Sequence, residues 1–258
     1  MNFLVLQSLI PVILLIAIGF IASRARWLRA ESVKDLSTVM FLVLTPALMF
    51  RTMSRVHLEQ LNLMPIAAYF TAAVSLFGLV VWQGRGTRQA AARAISASFG
   101  NTVAIGIPLV GLAFGEAALV TLFTIVAVHA LILLTLTTVV FELAVARDEA
   151  HTGSGEGRHV AANILLAAKN GVLNPATTPT LLGLLFATTG LVLPVPLDNT
   201  LKLLSNAMGP VALLLVGAAL QGSRVGEQLK GALQLTLLKN LALPLMVAAS
   251  GWAYGLQG

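Results

Sequence analysis

Between Asn101 and Glu116 the sequence reads NTVAIGIPLVGLAFGE, a run whose Asn101, Thr102, Gly106, Pro108 and Gly111 interrupt a long apolar segment that begins near Ala90. An asparagine amide both donates and accepts hydrogen bonds, and a threonine hydroxyl does the same. Proline removes one backbone donor, and its ring obstructs the carbonyl a turn earlier. A helix in lipid must satisfy its backbone internally, so these residues predict a break near Gly106 to Pro108. The second half of a broken helix begins with unpaired N–H groups. Together with the Asn101 amide, such groups suit an anion that must be bound and then released. A fixed arginine would grip a carboxylate bidentately and more strongly. The alternative is a proline kink with Asn101 bonded to a neighbouring helix, since proline and glycine are frequent in membrane helices.

Other polar residues in apolar surroundings are few. His129 falls midway along an apolar run, where an ionisable group is a candidate proton carrier or ligand contact, or else a neutral ring bonded to a neighbouring helix. Glu116 and Glu142 lie near the ends of that run and suit solvated anchoring. Lys239 is close enough to a helix end to snorkel, and Gly111 with Gly115 makes a Gly-x-x-x-Gly packing pair. The fingerprints of hydrolases, metalloproteases, phosphate loops and dinucleotide folds are absent, so no enzyme and no cofactor is expected. With four histidines, at 57, 129, 151 and 159, and no cysteine, a metal centre has little support.

These residues must be positioned by membrane helices. The chain has 258 residues, of which 57% are hydrophobic and 10% charged, and its mean hydropathy is +0.90. That describes a polytopic membrane protein and not a soluble domain. Lys and Arg outnumber Asp and Glu by 16 to 10. Their placement in short blocks between apolar segments marks them as topology determinants and argues against nucleic acid as a partner. Residues 1–7 carry no Lys or Arg, whereas Arg24, Arg26 and Arg29 follow the first apolar run. A cleavable signal would carry its charge first, so residues 3–22 are expected to be a retained span.

At ~20 residues per span, eight segments are predicted, at about 3–22, 33–50, 63–83, 90–114, 117–143, 177–193, 200–220 and 233–255. Thirteen of the 16 Lys and Arg residues fall in the connections after spans one, three, five and seven. The exceptions are Arg51, Arg55 and Lys202. This asymmetry puts the odd-numbered connections in the cytoplasm and the amino terminus outside. No Asp lies within a predicted span, which gives ion coupling thin support. Val160, Ile164, Leu165 and Ala168 share one helical face, which suggests an interfacial helix. The connection 144–159 contains a glycine-rich flexible stretch. It follows five spans, so a second copy of the same unit would be inverted. Weak internal similarity agrees: Thr45-Pro46-Ala47 in span two is echoed by Gly209-Pro210-Val211 in span seven.

The string from Asn101 to Glu116, continued to Phe141-Glu142, resembles the auxin efflux carrier family, which includes the plant PIN carriers and many bacterial permeases. The resemblance returns in Asn174-Pro175, Leu181-Leu182-Gly183-Leu184, residues 203–220 and Leu238-Lys239 through Pro244, and so covers nearly the whole chain. It implies an all-α polytopic integral membrane protein of inverted five-helix repeats with a broken crossover helix. It also implies a homodimer whose scaffold is spans one, two, six and seven, against which the remaining spans move. On that basis residues 1–143 form the first repeat, 144–159 a cytoplasmic linker, and 160–258 an interfacial helix with an incomplete second repeat. Eight of the usual ten spans are present, and the second crossing proline is missing, which suggests a fragment of a longer protein.

Pro108 matches a crossing proline of the family. Asn101 matches an asparagine that contacts the substrate carboxylate in the plant carriers. Plant members tend to have Gln at the positions of Thr124 and His129, and Ser where this chain has Met49, so auxin itself is a poor candidate ligand. The resemblance thus implies a substrate site of Asn101, Thr102, Gly106, Pro108, Thr124, His129 and Met49. The expected function is a secondary carrier of small organic anions or carboxylates, working by elevator-like alternating access in the cell inner membrane. Its expected partners are the carboxylate, the lipid bilayer and a second copy of itself. The alternative is a non-transporting membrane subunit or truncated carrier remnant.

Overall fold

A computed structural model describes residues 2–56, 62–152, 160–222 and 229–256, and among them the chain is helical throughout, with no strand. The helices are α1 Asn2–Arg24, α2 Ala30–Val39, α3 Thr45–Met53, α4 Met64–Gln83, α5 Arg88–Ser98, α6 Ile107–Phe114, α7 Glu116–Thr152, α8 Val160–Val172, α9 Thr177–Thr188, α10 Val195–Gly222, α11 Leu229–Leu237 and α12 Leu243–Ala253. Single wide turns, in which an N–H bonds five residues back, join α2 to α3 at Met40–Leu44, lead into α6 at Thr102–Gly106, and join α11 to α12 at Leu238–Ala242.

Among the described residues, six helical stretches are long and apolar enough to cross a membrane: Ala30–Met53, Met64–Gln83, Arg88–Phe114, Glu116–Arg147, Val195–Gly222 and Gly231–Ala253. The protein is a polytopic all-α membrane protein. Two expectations change in length. The sixth segment, expected at 177–193, is a helix of only 12 residues, about 18 Å long. It ends because Gly190 takes a left-handed φ of 65° and Pro194 and Pro196 start the next helix. That early start puts Asp198 inside α10, which corrects the expectation that no Asp lies within a span. Helix α7 continues through residue 152, so only 153–159 of the expected linker fall outside the described residues, as do His57 and His159.

Two compact units alternate along the sequence. The first is Met1–Leu61, Asn101–Val126 and Pro175–Val225. Its helices α1 and α10 are packed backbone to backbone: a side chain on Gly19 would overlap the Leu214 carbonyl, and one on Gly217 the Ile16 carbonyl. Small residues allow this in lipid, where close approach rather than the hydrophobic effect holds helices together. Helix α9 meets α3 in the same way, at Gly183 against Met53 and the Phe50 carbonyl. The core of this unit gathers Met40, Met49, Met53 and Met208 around Phe123, Ala104 and Ile107. Flexible thioethers fill the irregular space that kinked helices leave.

The second unit is Asn62–Gly100, Ala127–Asn174 and Gly226–Gly258. Thr87 caps α5 by accepting from the Ala90 N–H at 3.2 Å. Ala90, Ala91, Ala94, Ala97 and Ser98 then give α5 a flat buried face. Ala72, Ala73, Leu76 and Phe77 of α4 and Leu133 of α7 share its core. The Ser250 hydroxyl of α12 donates to the Ala68 carbonyl of α4 at 2.7 Å. Helix α8 runs antiparallel beside α7. Asn163 donates to the buried Glu142 carboxylate at 3.2 Å, and a side chain on Gly171 would come within 3.2 Å of the Leu131 Cα. The face that α8 turns to α7 therefore includes Asn163 and Gly171, while Leu165 of the expected apolar stripe is 72% exposed.

Candidate functional site

Each of the three wide turns precedes a proline in the same register. The Thr45 N–H bonds to the Met40 carbonyl before Pro46, that of Ile107 to Thr102 before Pro108, and that of Leu243 to Leu238 before Pro244. A proline ring would collide with the carbonyl four residues back in a regular α-helix. Widening the turn by one residue moves that carbonyl aside, so helical hydrogen bonding continues across the proline.

The apolar segment is interrupted elsewhere than the proline predicts. Helix α5 stops at Ser98, Phe99 is extended at φ −93°, ψ 111°, and Asn101 sits at φ −80°, ψ 60° before the helix resumes at Thr102. The break expected at Gly106 to Pro108 is thus at residues 99–101, because the wide turn absorbs Pro108. The free N–H groups at the second start are those that follow Asn101, not those that follow Pro108.

In the first unit, Asn101 occupies the N-cap position of this start. Its carbonyl accepts from the Ile105 N–H at 3.1 Å and the Gly106 N–H at 3.4 Å. Asparagine is among the best capping residues, yet the Asn101 side chain makes no cap hydrogen bond and is exposed. The amide and the first-turn N–H groups are therefore both left for something else. Gly106 leaves room for the Thr102 methyl, which would lie 3.0 Å from a side chain there. The buried Pro108 ring packs toward Gly209 of α10, 3.7 Å from where a side chain would begin.

The remaining predicted site residues are placed differently. Met49 is fully buried in the apolar core of the first unit, beside Ala104 and Ile107. The Thr124 hydroxyl is occupied by the Val120 carbonyl of its own helix at 2.9 Å. His129 belongs to the second unit. It is 2% exposed, with Nδ1 3.3 Å from the Tyr69 hydroxyl and its ring 4.6 Å from that of Phe99. Its Nε2 is buried without a hydrogen-bond partner.

Two polar clusters escaped sequence reasoning. Tyr69, one of two tyrosines in the chain, gave a signal, since a buried phenol usually finds a partner. The other is Arg51 with Arg55, both paired to Asp198. The signal there was that these arginines depart from the charge asymmetry of the connections. No group of His, Asp and Glu suited to a metal ion occurs among the described residues.

A family model described as a membrane transport protein matches residues 4–258. No match is found among curated proteins.

Proposed function

The chain belongs to the membrane transport protein family, in which the auxin efflux carriers fall, and from that premise we propose that it carries small organic anions, carboxylates above all, across the cell inner membrane. The observation that supports this reading is the uncapped helix start at Asn101 and Thr102, within a helical stretch apolar enough to span a membrane. A carboxylate placed there meets first-turn N–H groups, the positive end of the helix dipole and the Asn101 amide. No fixed cation is needed, so release stays easy. Thr102, Gly106 and Pro108 shape the start, while Thr124 and Met49 contribute packing and no free donor. Carriage follows alternating access, elevator-like, in a homodimer with its amino terminus outside.

The test is uptake of labelled dicarboxylates such as malate and malonate into proteoliposomes containing the protein. Saturable flux is expected. The variant Asn101→Ala is expected to lose at least ~10-fold of it, the scale of one removed charge-assisted hydrogen bond, with insertion unchanged. Equal flux from the variant would overturn the site, and absence of saturable flux from the parent would favour a non-transporting subunit or carrier remnant.

A further inference from the structure

A basic site stands apart from Asn101, at the end of α1. The helix closes through a turn in which the Trp27 and Leu28 N–H groups both bond to the Ala22 carbonyl, at 2.9 and 3.2 Å, and Arg26 adopts a left-handed φ of 61°. The turn places Arg24, Arg26 and Arg29 around one cavity of about 660 Å³ between α1, the start of α2 and the end of α10. The Ser23 hydroxyl donates to the Gln221 side chain across it at 3.3 Å. No carboxylate lines the cavity among the described residues, and Asp198, which pairs with Arg51 and Arg55, lies at the other end of α10. The carbonyl ends of α1 and α10 face this end, so among the described residues its positive charge comes from the three guanidiniums and the start of α2.

Arginines following a span can serve topology alone, but topology needs only their number, not a shared cavity. The flanks of this cavity are those of a lipid site. Ile18 and Ile21 of α1 and Leu220 of α10 are exposed next to it, and Trp27, 79% exposed, projects from the same turn. Exposed apolar helix sides suit acyl chains, and tryptophan prefers the headgroup level. Basic pockets between spans, on the side to which the charge asymmetry assigns this connection, suit anionic headgroups. We propose that the cavity holds the phosphate of one anionic phospholipid, with its acyl chains along α1 and α10.

The test is native mass spectrometry of the purified full chain with phosphatidylglycerol and phosphatidylcholine of matched acyl chains. One phosphatidylglycerol is expected to be retained in preference to phosphatidylcholine. Each arginine removed should cost about five-fold of that preference, so Arg24→Gln with Arg29→Gln should nearly abolish it. Ala219→Trp keeps every charge but sets an indole into the cavity lining, and should lower the preference even if the double variant fails to insert. Arg85→Gln with Arg88→Gln removes the same charge from another connection and should leave the preference intact. The proposal is overturned if the parent retains both lipids equally, if Ala219→Trp keeps the preference, or if the Arg85 and Arg88 pair lowers it as much. Displacement of the lipid by millimolar inorganic phosphate would also overturn it, because a site for free phosphate makes no use of acyl chains.

Discussion

Arg51, near the end of α3, donates through Nε to Oδ1 of Asp198 in the first turn of α10 at 3.0 Å, and Arg55 pairs with the same oxygen. These arginines are two of the three basic residues that depart from the charge asymmetry of the connections. The pairing gives them a structural reason to be there. Arg51 is 8% exposed, so its charge is held by one carboxylate instead of by water. Helices distant in sequence are thereby tied together at one end of the first unit.

Removing the carboxylate should therefore matter more than removing the outer arginine. Asp198→Asn leaves the buried Arg51 without its counter-charge, the costly way to break such a pair. Arg55→Gln removes a side chain that is 51% exposed, and exposed pairs contribute little. Thermal unfolding in detergent should show a drop of several degrees for Asp198→Asn and a much smaller one for Arg55→Gln. Equal shifts would mean that the cluster does not hold the helices together.

The close contact of α1 with α10 and an open position in α4 predict opposite outcomes for two glycines. Gly217→Ala pushes a methyl into the Ile16 carbonyl, and backbone cannot yield as a side chain can. The cost is expected to be ~1–3 kcal/mol or more, read as a lower folded yield and thermal midpoint. Gly78→Ala in α4 meets nothing within 4 Å, and alanine in a helix interior gains about 0.5–1 kcal/mol over glycine. A stabilised Gly217→Ala would contradict the packing described for this pair.

What could be read from sequence here follows from what is local. Helices show in apolar run length, so α4, the start of α7 and the end of α10 lie close to where hydropathy puts them. The end of α9 depends on a glycine turn and the prolines that follow it, and hydropathy cannot register either, because Leu191 to Pro194 is apolar without being helical. Asn101 stood out as a polar residue in an apolar run. The position of the break did not, because the response to Pro108 is a widened turn set by hydrogen-bond geometry several residues upstream. Arg51 with Asp198, and Tyr69 with His129, pair residues 147 and 60 positions apart, a relation that only the folded chain reveals.

Tyr69 and His129 should behave as one unit. Tyr69→Phe leaves a ring nitrogen of the buried histidine unpaired when its Nε2 already lacks a partner. An unsatisfied buried group costs about 1–3 kcal/mol. Combining it with His129→Phe removes both polar groups among the aromatic rings of Phe70 and Phe99, so the double variant should recover part of the stability lost by Tyr69→Phe. A double-mutant cycle on thermal midpoints reads the coupling directly. Strict additivity would show that the hydroxyl and the imidazole do not depend on each other.

The wide turn before Pro108 separates stability from transport most sharply. An interior proline costs a helix ~3 kcal/mol or more, because a hydrogen bond is lost and the ring must be accommodated. Pro108→Ala restores the donor and removes the collision, so Thr102–Gly106 can tighten to a regular turn. Taking one residue out of a helical turn rotates everything before it by about 100° relative to α6. Asn101 and the first-turn N–H groups would then face a different direction. The variant is expected to be at least as stable as the parent and to transport poorly, whereas Pro46→Ala, which relaxes the equivalent turn in α2 and α3, leaves Asn101 where it is. Thermal unfolding and proteoliposome flux on both variants supply the comparison. Full flux from Pro108→Ala would show that the orientation of Asn101 does not depend on the turn, and that proline, helix start and substrate are not linked.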